Sequence, residues 1–384
     1  MQMTFSSKKS FRSGRAVTAA TLAFALTACS GGATIDDEVE GAVEPVSGSL
    51  VAGYVAGIDQ LGLPIGTELG LFEGQGLDVT LADPFPTGVE AINALEAGDV
   101  DIIQVGVPGV VAVHNDIDLV FVGNYSGSSV QRSVDDTLSV IATEGSGIDP
   151  DDLSTLKGAT VATSVGTINH LYLLGMLRDL RIDTDEVDLV NTAPPDMPIA
   201  LETGGADAIA SWDPWPIITT DQVEGSYDVV RGGGYIPYVG YIVTTPRYLE
   251  NNRELIEAFL TARAASDQWI RRHPDEAAEA VTRWLTGTDL QVAQAAMEHN
   301  VTQLDPRFSA CNYLALDTVA ILLEEQEVVE YDFDINELVD PSLILSVQEN
   351  NPELFSDLPA IPEPALIDTD HKFLREVDQQ ACTV

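Results

Sequence analysis

The chain has 384 residues, 45% hydrophobic and 7% aromatic, enough apolar material for a packed core and for more than one domain of ordinary size, and too much for long disorder. Its 61 Asp and Glu against 18 Lys and Arg give a formal net charge of −43. A surface that acidic repels nucleic acid and anionic lipid headgroups, which excludes nucleic-acid binding; it reads as a solubility device for a salty medium rather than a dedicated cation-binding surface.

In chain order, residues 1–15 hold four bases (Lys8, Lys9, Arg12, Arg15) and no acid precedes Asp36. Residues 16–28 (AVTAATLAFALTA) are apolar or small, too short a run to span a bilayer but laid out as an export signal. Leu26-Thr27-Ala28-Cys29, followed by Ser30-Gly31-Gly32, resembles the bacterial lipobox, in which Cys29 becomes the lipidated first residue; the alternative is an ordinary signal peptide with a coincidental Cys. No other run approaches the ~18 apolar residues of a spanning helix. Removing residues 1–28 leaves a charge of −47 and only Lys157 and Lys372 as lysines. Cys311 and Cys382 then remain, and an oxidising compartment favours a bridge that pins the C-terminal tail; two free buried thiols are the alternative.

Residues 30–48 read as a linker. From Leu50, strand-like and helix-like segments alternate. Leu50–Val55 reads as a strand entering Gly57-Ile58-Asp59-Gln60, Pro64–Leu71 as a helix stopped by Gly74 and Gly76, Leu77–Leu81 as a strand, and Gly88–Ala97 as a helix. Val100–Val105 (strand), Pro108–His114 (helix) and Leu119–Gly123 (strand) complete the series. The second series runs Val134–Ala142 (strand), Ala159–Thr163 (strand), Asn169–Leu180 (helix), Val187–Asn191 (strand), Met197–Thr203 (helix), Ala208–Ala210, Tyr227–Val230 and Val239–Thr245 (strands). After Pro246 come helices: Arg253–Arg272, Pro274–Leu285, Leu290–Asn300 and Ala315–Val328. Alternation with short connections implies an α/β chain on mostly parallel sheets, and two similar series suit two lobes with a cleft between them.

Much chemistry is missing. The five His (114, 170, 273, 299, 371) show no H-x-x-x-H spacing, and there is no G-x-S-x-G elbow, Walker loop or G-x-G-x-x-G after a strand. Asp149–Asp152 lacks the pattern of a Ca²⁺ loop, and Gly232-Gly233-Gly234 reads as an interlobe turn rather than a phosphate cradle. No catalytic residue, metal or cofactor is expected.

Several segments read together carry a resemblance: Pro64-Ile65-Gly66-Thr67-Glu68-Leu69-Gly70-Leu71-Phe72-Glu73, Gly76-Leu77-Asp78-Val79, Gly88–Leu95, Asp99-Val100-Asp101-Ile102, Ser164–His170, Gly205-Ala206-Asp207-Ala208 and Trp212-Asp213-Pro214-Trp215. In order and spacing they resemble the substrate-binding proteins of ABC importers of the aliphatic sulfonate, taurine, nitrate and thiamine-pyrimidine type, over about residues 50–285. The resemblance implies a type II periplasmic-binding fold, two α/β lobes joined by a two-strand hinge, with a small-molecule ligand captured in the cleft. It implies ABC permease and ATPase subunits as partners and a monomer on an N-terminal lipid anchor. The expected division is 1–28 signal, 29–48 lipidated Cys and linker, 49–143 first lobe, 144–243 second lobe, 244–330 return to the first lobe, and 331–384 a tail packed on both. The acidity and the tail from about Asn300 depart from the pattern.

Ligands of open α/β sheets sit at strand carboxyl ends, where helix starts favour anions. That places Ser164, Gly166, Thr167 and His170 at an anion site, with Thr87 at another helix start. Trp212 supplies an apolar wall beside a Pro-fixed turn, with Trp215. Asp59, Gln60 and Val107 lie in post-strand loops, as does Asn124-Tyr125-Ser126. An acid in the cleft, Asp59 or Asp213, needs a donor on the ligand, which suits a zwitterion such as taurine or an aminopyrimidine and suits nitrate poorly. The rival readings are a pyrimidine-synthase-like enzyme on the same fold, whose Cys-rich segment is missing here, and a tethered ligand sensor.

Overall fold

The computed structural model describes residues 46–130 and 135–382. The expected signal segment, Cys29, the linker through residue 45, and Val134 lie outside the described residues. Ten strands form two five-stranded sheets. The first sheet takes β1 (Gly48–Gly53), β2 (Leu77–Leu81), β3 (Ile102–Val105) and β4 (Val120–Ser126). The second takes β5 (Leu138–Thr143), β6 (Thr160–Thr163), β7 (Asp188–Asn191), β8 (Ala208–Trp212) and β9 (Ser226–Arg231), and β10 (Gly240–Thr244) returns to the first. The orders are β2-β1-β3-β10-β4 and β7-β6-β8-β5-β9. In each, the first three strands are parallel and the remaining pairings antiparallel. The chain therefore crosses between lobes twice, from β4 to β5 and from β9 to β10.

The central strands β3, β4, β8 and β10 are buried along their whole length, as a sheet covered by helices on both faces requires. Gly232, Gly233 and Gly234 lie on the second crossover, all with positive φ (59°, 107° and 74°), which a side chain would strain. There the Tyr172 hydroxyl donates to the Gly232 carbonyl at 2.7 Å and Asp135 accepts from the Gly234 and Tyr235 amides at 3.1 Å each.

Helix bounds differ from the sequence reading where local chemistry was overlooked. The first helix is Gly62–Glu68, because Gly70 turns left-handed (φ 69°) before a short turn at Leu71–Gly74. Trp215 does not end a turn but starts a helix, Trp215–Gln222. The helix expected from Ala315 begins at Ala310, where Ser309 and Asn312 form a reciprocal cap. Among the described residues no helix is long and apolar enough to cross a membrane.

After β10 the chain is helical. Arg253–Arg272 packs beneath the first sheet, and Pro274–Trp284 with Leu290–Asn300 bury Ala277, Val281, Ala293 and Met297 against Ile58, Leu61 and Ile65. The segment 303–309 then braces the first crossover. Gly127 donates to the Gln303 carbonyl (2.8 Å), Asn124 Nδ2 to the Asp305 carbonyl (2.6 Å), and Ser309 Oγ to the Ser129 carbonyl (2.8 Å). Cys311 and Cys382 are joined, with Cα atoms 5.4 Å apart, so the last helix, Arg375–Ala381, is held against Ala310–Glu325. The bridge closes a loop of 71 residues, and chain-entropy arguments give such a loop about 4 kcal/mol. Reduction, or Cys382→Ser, is expected to lower the unfolding free energy by about that amount, read as a fall in the denaturant midpoint.

Candidate ligand-binding cleft

The carboxyl ends of strands from both sheets face one small cavity. β1 leads through Val55 to a single 3-10 turn, Ile58–Gln60, which delivers Asp59 and Gln60; β3 leads into the helix Val107–His114; β8 ends in Trp212. Gly88, first residue of its helix, and Thr167 with Ile168, at the start of Ile168–Leu180, complete the helix starts on the cavity. Tyr125 from the end of β4 and Tyr238 with Val239 from the second crossover close its floor. Three helix starts converge here, and their first N–H groups have no partner inside their own helices. A Cβ at Gly88 would come within 2.7 Å of Val105 and 2.9 Å of Pro108, so only glycine lets that helix start approach so closely.

Asp59 is the only charged residue on the cavity wall. Its Oδ2 accepts from the Tyr238 hydroxyl at 2.7 Å. Burial pushes its pKa up to about 6, partly offset by the Tyr238 hydrogen bond and the field of Arg263. Burial, reinforced by the Asp59 charge, holds both Tyr125 and Tyr238 well above the ordinary phenol range. Gln60 donates to Tyr125 Oη at 2.6 Å; Gln104 Nε2 donates to the Gln60 carbonyl at 2.8 Å; Arg263 Nε donates to Gln104 Oε1 at 2.8 Å and its guanidinium pairs with Asp267. The network runs from the hinge to the Arg253–Arg272 helix without reaching solvent.

Of the residues expected at the site, Asp59, Gln60, Val107, Thr167 and Trp212 line the cavity. The others are placed elsewhere, each for a local reason. Thr87 caps the Gly88–Ala97 helix, accepting from Val89 N at 3.2 Å while its hydroxyl donates to Glu90. Ser164 donates to the Thr192 carbonyl (2.9 Å), and Gly166 N donates to His170 Nδ1 (3.3 Å). His170 is thus satisfied within its own turn, and burial lowers its pKa. Thr167 donates its hydroxyl to the Ser164 carbonyl (2.7 Å), so the anion-favouring groups of this turn are its backbone amides, not its hydroxyls. Asp213 does not reach the cavity. It is fully buried between Arg231 (3.0 Å) and His299 (2.7 Å), and burial raises its pKa despite both partners. Trp215 faces a different space, described below.

Sequence reasoning missed Tyr238, Gly88 and Ile168. Tyr125 and Val105–Pro108 stood in loops already singled out. Tyr238 had no local signal, since it reaches the site only because the second crossover returns beside β4.

The lobes meet across the cleft. Trp212 and Trp215, from the second lobe, both donate their indole N–H to the Ala56 carbonyl of the first, at 3.4 and 3.0 Å, and Ile58 N donates to the Asp213 carbonyl at 3.1 Å. The cavity they enclose is about 30 Å³, room for only a water or two.

Two α/β lobes, two crossovers and a cleft at the strand ends define the architecture of the periplasmic binding proteins, and solved structures share it. The alkanesulfonate-binding protein SsuA from Xanthomonas axonopodis pv. citri, bound to MOPS, superposes with a TM-score of 0.66 at 20% identity, over 78% of this chain and 97% of that one. The sequence model described as NMT1/THI5 like matches residues 58–277, and the chain belongs to that family. A protein of Escherichia coli (strain K12) named "Putative aliphatic sulfonates-binding protein" is 26% identical over 259 residues, 66% of this chain and 77% of the relative. The fold also carries an enzyme: the desulfurization enzyme DSZB superposes with a TM-score of 0.57 at 14% identity, over 79% of this chain and 99% of that one.

The Asp59 pKa makes a stability statement. The unfolded chain releases this proton near 3.8, the folded protein near 6, so folding takes up a proton between those values. Stability contributed by this group is present below about pH 4, is lost as pH rises to about 6, and stays lost above. Asp59→Asn is therefore expected to stabilise the ligand-free protein at pH 7 by up to about 3 kcal/mol, with the gain vanishing near pH 4. Denaturant titrations of both proteins across that range check the sign.

Proposed function

We propose that the chain is the extracytoplasmic solute-binding component of an ABC importer and captures a small sulfonate- or amine-bearing organic solute by closure of its two lobes. The observation that carries this reading is the cavity wall itself: three helix starts face a space whose only charged side chain is Asp59. Backbone amides at helix starts hold a sulfonate or carboxylate, and a buried carboxylate holds an ammonium or amine. The relative named for aliphatic sulfonates and the neighbour bound to MOPS support an anionic sulfur headgroup. A cavity of about 30 Å³ admits no organic solute as it stands, so capture requires the lobes to part and close again. Recognition is the whole activity in this reading; the chain acts as a monomer, hands its cargo to permease and ATPase subunits, and needs no cofactor.

A second reading rests on Trp212, whose ring on the cavity wall suits an aminopyrimidine with its amine on Asp59. Nitrate fits less well, because it brings no donor to the carboxylate.

Calorimetric titration of the full chain with taurine, ethanesulfonate, nitrate and an aminopyrimidine tests these readings. Taurine is expected to bind, and Asp59→Asn to weaken taurine at least about tenfold while leaving ethanesulfonate within about threefold. Taurine affinity is expected to fall as pH drops through about 6, where Asp59 takes up its proton. Binding of the aminopyrimidine alone transfers the site to the ring reading, and silence from all four overturns both.

The anchor belongs to the same proposal. Lipid on Cys29 holds the protein at the outer face of the cell membrane, and Cys29→Ser is expected to move it from the membrane fraction to the soluble extracytoplasmic fraction. Retention of the variant in the membrane would remove the anchor from the proposal.

A further inference from the structure

Ala56 and Trp215 belong to a second space, a groove of about 550 Å³ walled by both lobes. Pro84 and Ala56 follow strands of the first sheet, Ile199 and Ile218 come from second-lobe helices, and Trp284 ends a helix of the C-terminal region. Among its lining residues only Glu202 is charged, in a chain with a net charge of −43. Its tryptophans have their polar edges engaged: Trp215 Nε1 donates to the Ala56 carbonyl at 3.0 Å and Trp284 Nε1 to Glu68 Oε2 at 3.0 Å. What they offer the groove is ring hydrocarbon. Ile199 stands 60% exposed in it, a large apolar side chain left in water with no fold-level reason.

The groove and the deep cavity meet at one group. Trp212 lines the cavity, Trp215 lines the groove, and both donate to the same Ala56 carbonyl. Opening the cleft releases both bonds together, since the indoles lie on one lobe and the carbonyl on the other. The cavity is too small for more than the polar end of a solute, and the neighbouring space is large, apolar and nearly uncharged.

We propose that the groove receives the apolar tail of the solute whose polar head occupies the deep cavity. The cargo is then an amphiphilic organic anion, with several carbons beyond its headgroup, rather than a compact zwitterion. This rests on the headgroup reading above and adds the tail. Apolar burial contributes about 0.8 kcal/mol per methylene, or about fourfold in affinity.

The test is calorimetric titration of the full chain with linear 1-alkanesulfonates from methanesulfonate to octanesulfonate, against the wild type and Ile199→Asp. Ile199 is exposed, so this variant is expected to fold, which its melting curve checks. The expected result is affinity rising about threefold to fourfold per methylene over the middle of the series. Ile199→Asp should weaken octanesulfonate at least about tenfold and leave methanesulfonate within about twofold. Short sulfonates that bind while affinity stays flat with chain length overturn the tail site and leave the headgroup reading standing. A slope that Ile199→Asp does not alter places the tail elsewhere and likewise overturns the proposal. No binding by any member overturns both.

Discussion

The Asp59 carboxylate is held where water cannot reach it, and much of the cleft follows from satisfying it. A charge taken out of water costs several kcal/mol unless hydrogen bonds replace its hydration. Its direct side-chain partner is the Tyr238 hydroxyl, which arrives on the second crossover. The carboxylate is therefore satisfied only when the returning chain lies against the first lobe. Its neighbour Gln60 extends the network to Tyr125 and, through Gln104, to Arg263 and Asp267. Even so, Arg263 Nη2 and Asp267 Oδ2 have no hydrogen-bond partner among the described residues. A buried polar network left partly unsatisfied costs stability, the usual trade at a site kept ready for something else to bind.

The same economy governs closure. The direct bonds across the cleft mouth are few: two indoles on Ala56, one amide on the Asp213 carbonyl, and His299 on the Asp213 side chain. At about 1 kcal/mol net for an ordinary hydrogen bond, they hold the lobes together by only a few kcal/mol. A ligand shifts such an equilibrium by its differential affinity for the closed form, so a weak latch is what lets binding energy control the lobes. The hinge is not equally free. Gln303, Asp305 and Ser309 fasten the first crossover to the C-terminal region, and the Cys311–Cys382 bridge fastens that region to itself. The tail thus steadies the pivot while the cleft mouth is left to the ligand.

The two lobes were legible because alternating strands and helices are a local signal, and the loops after β1, β3 and β8 were found because strand carboxyl ends mark ligand sites. Side-chain direction was not legible. Asp213 looked like a cleft carboxylate because it follows a strand and precedes a proline, but its partners Arg231 and His299 lie 18 and 86 residues away, and tertiary packing alone brings them together. Ser164, Thr167 and His170 had the right types at the right place, yet their side chains close the turn itself, which leaves the backbone to face the cavity. Trp215 was misjudged by one step of structure: as the first residue of a helix its ring swings to the outer groove. Tyr238 was invisible because nothing near it in sequence shares its cavity except Val239.

The acidity of the chain bears directly on how an anion is held here. A net charge of −43 repels an approaching anion, and salt shortens that repulsion to about 10 Å at 0.1 M. Inside the cleft the screening fails, so attraction must be built in. The obvious device, a Lys or Arg on the wall, is absent from the lining, and the nearest cation in the network, Arg263, stands behind Gln104 and paired to Asp267. Helix starts solve this differently. Each presents about half a positive charge and several amides without adding an ion that Asp59 would neutralise. Had an arginine occupied the wall, it would have paired with Asp59 and closed the cavity on itself. Backbone dipoles cannot make that pair, which leaves the carboxylate and the helix starts both free to meet the two ends of one solute.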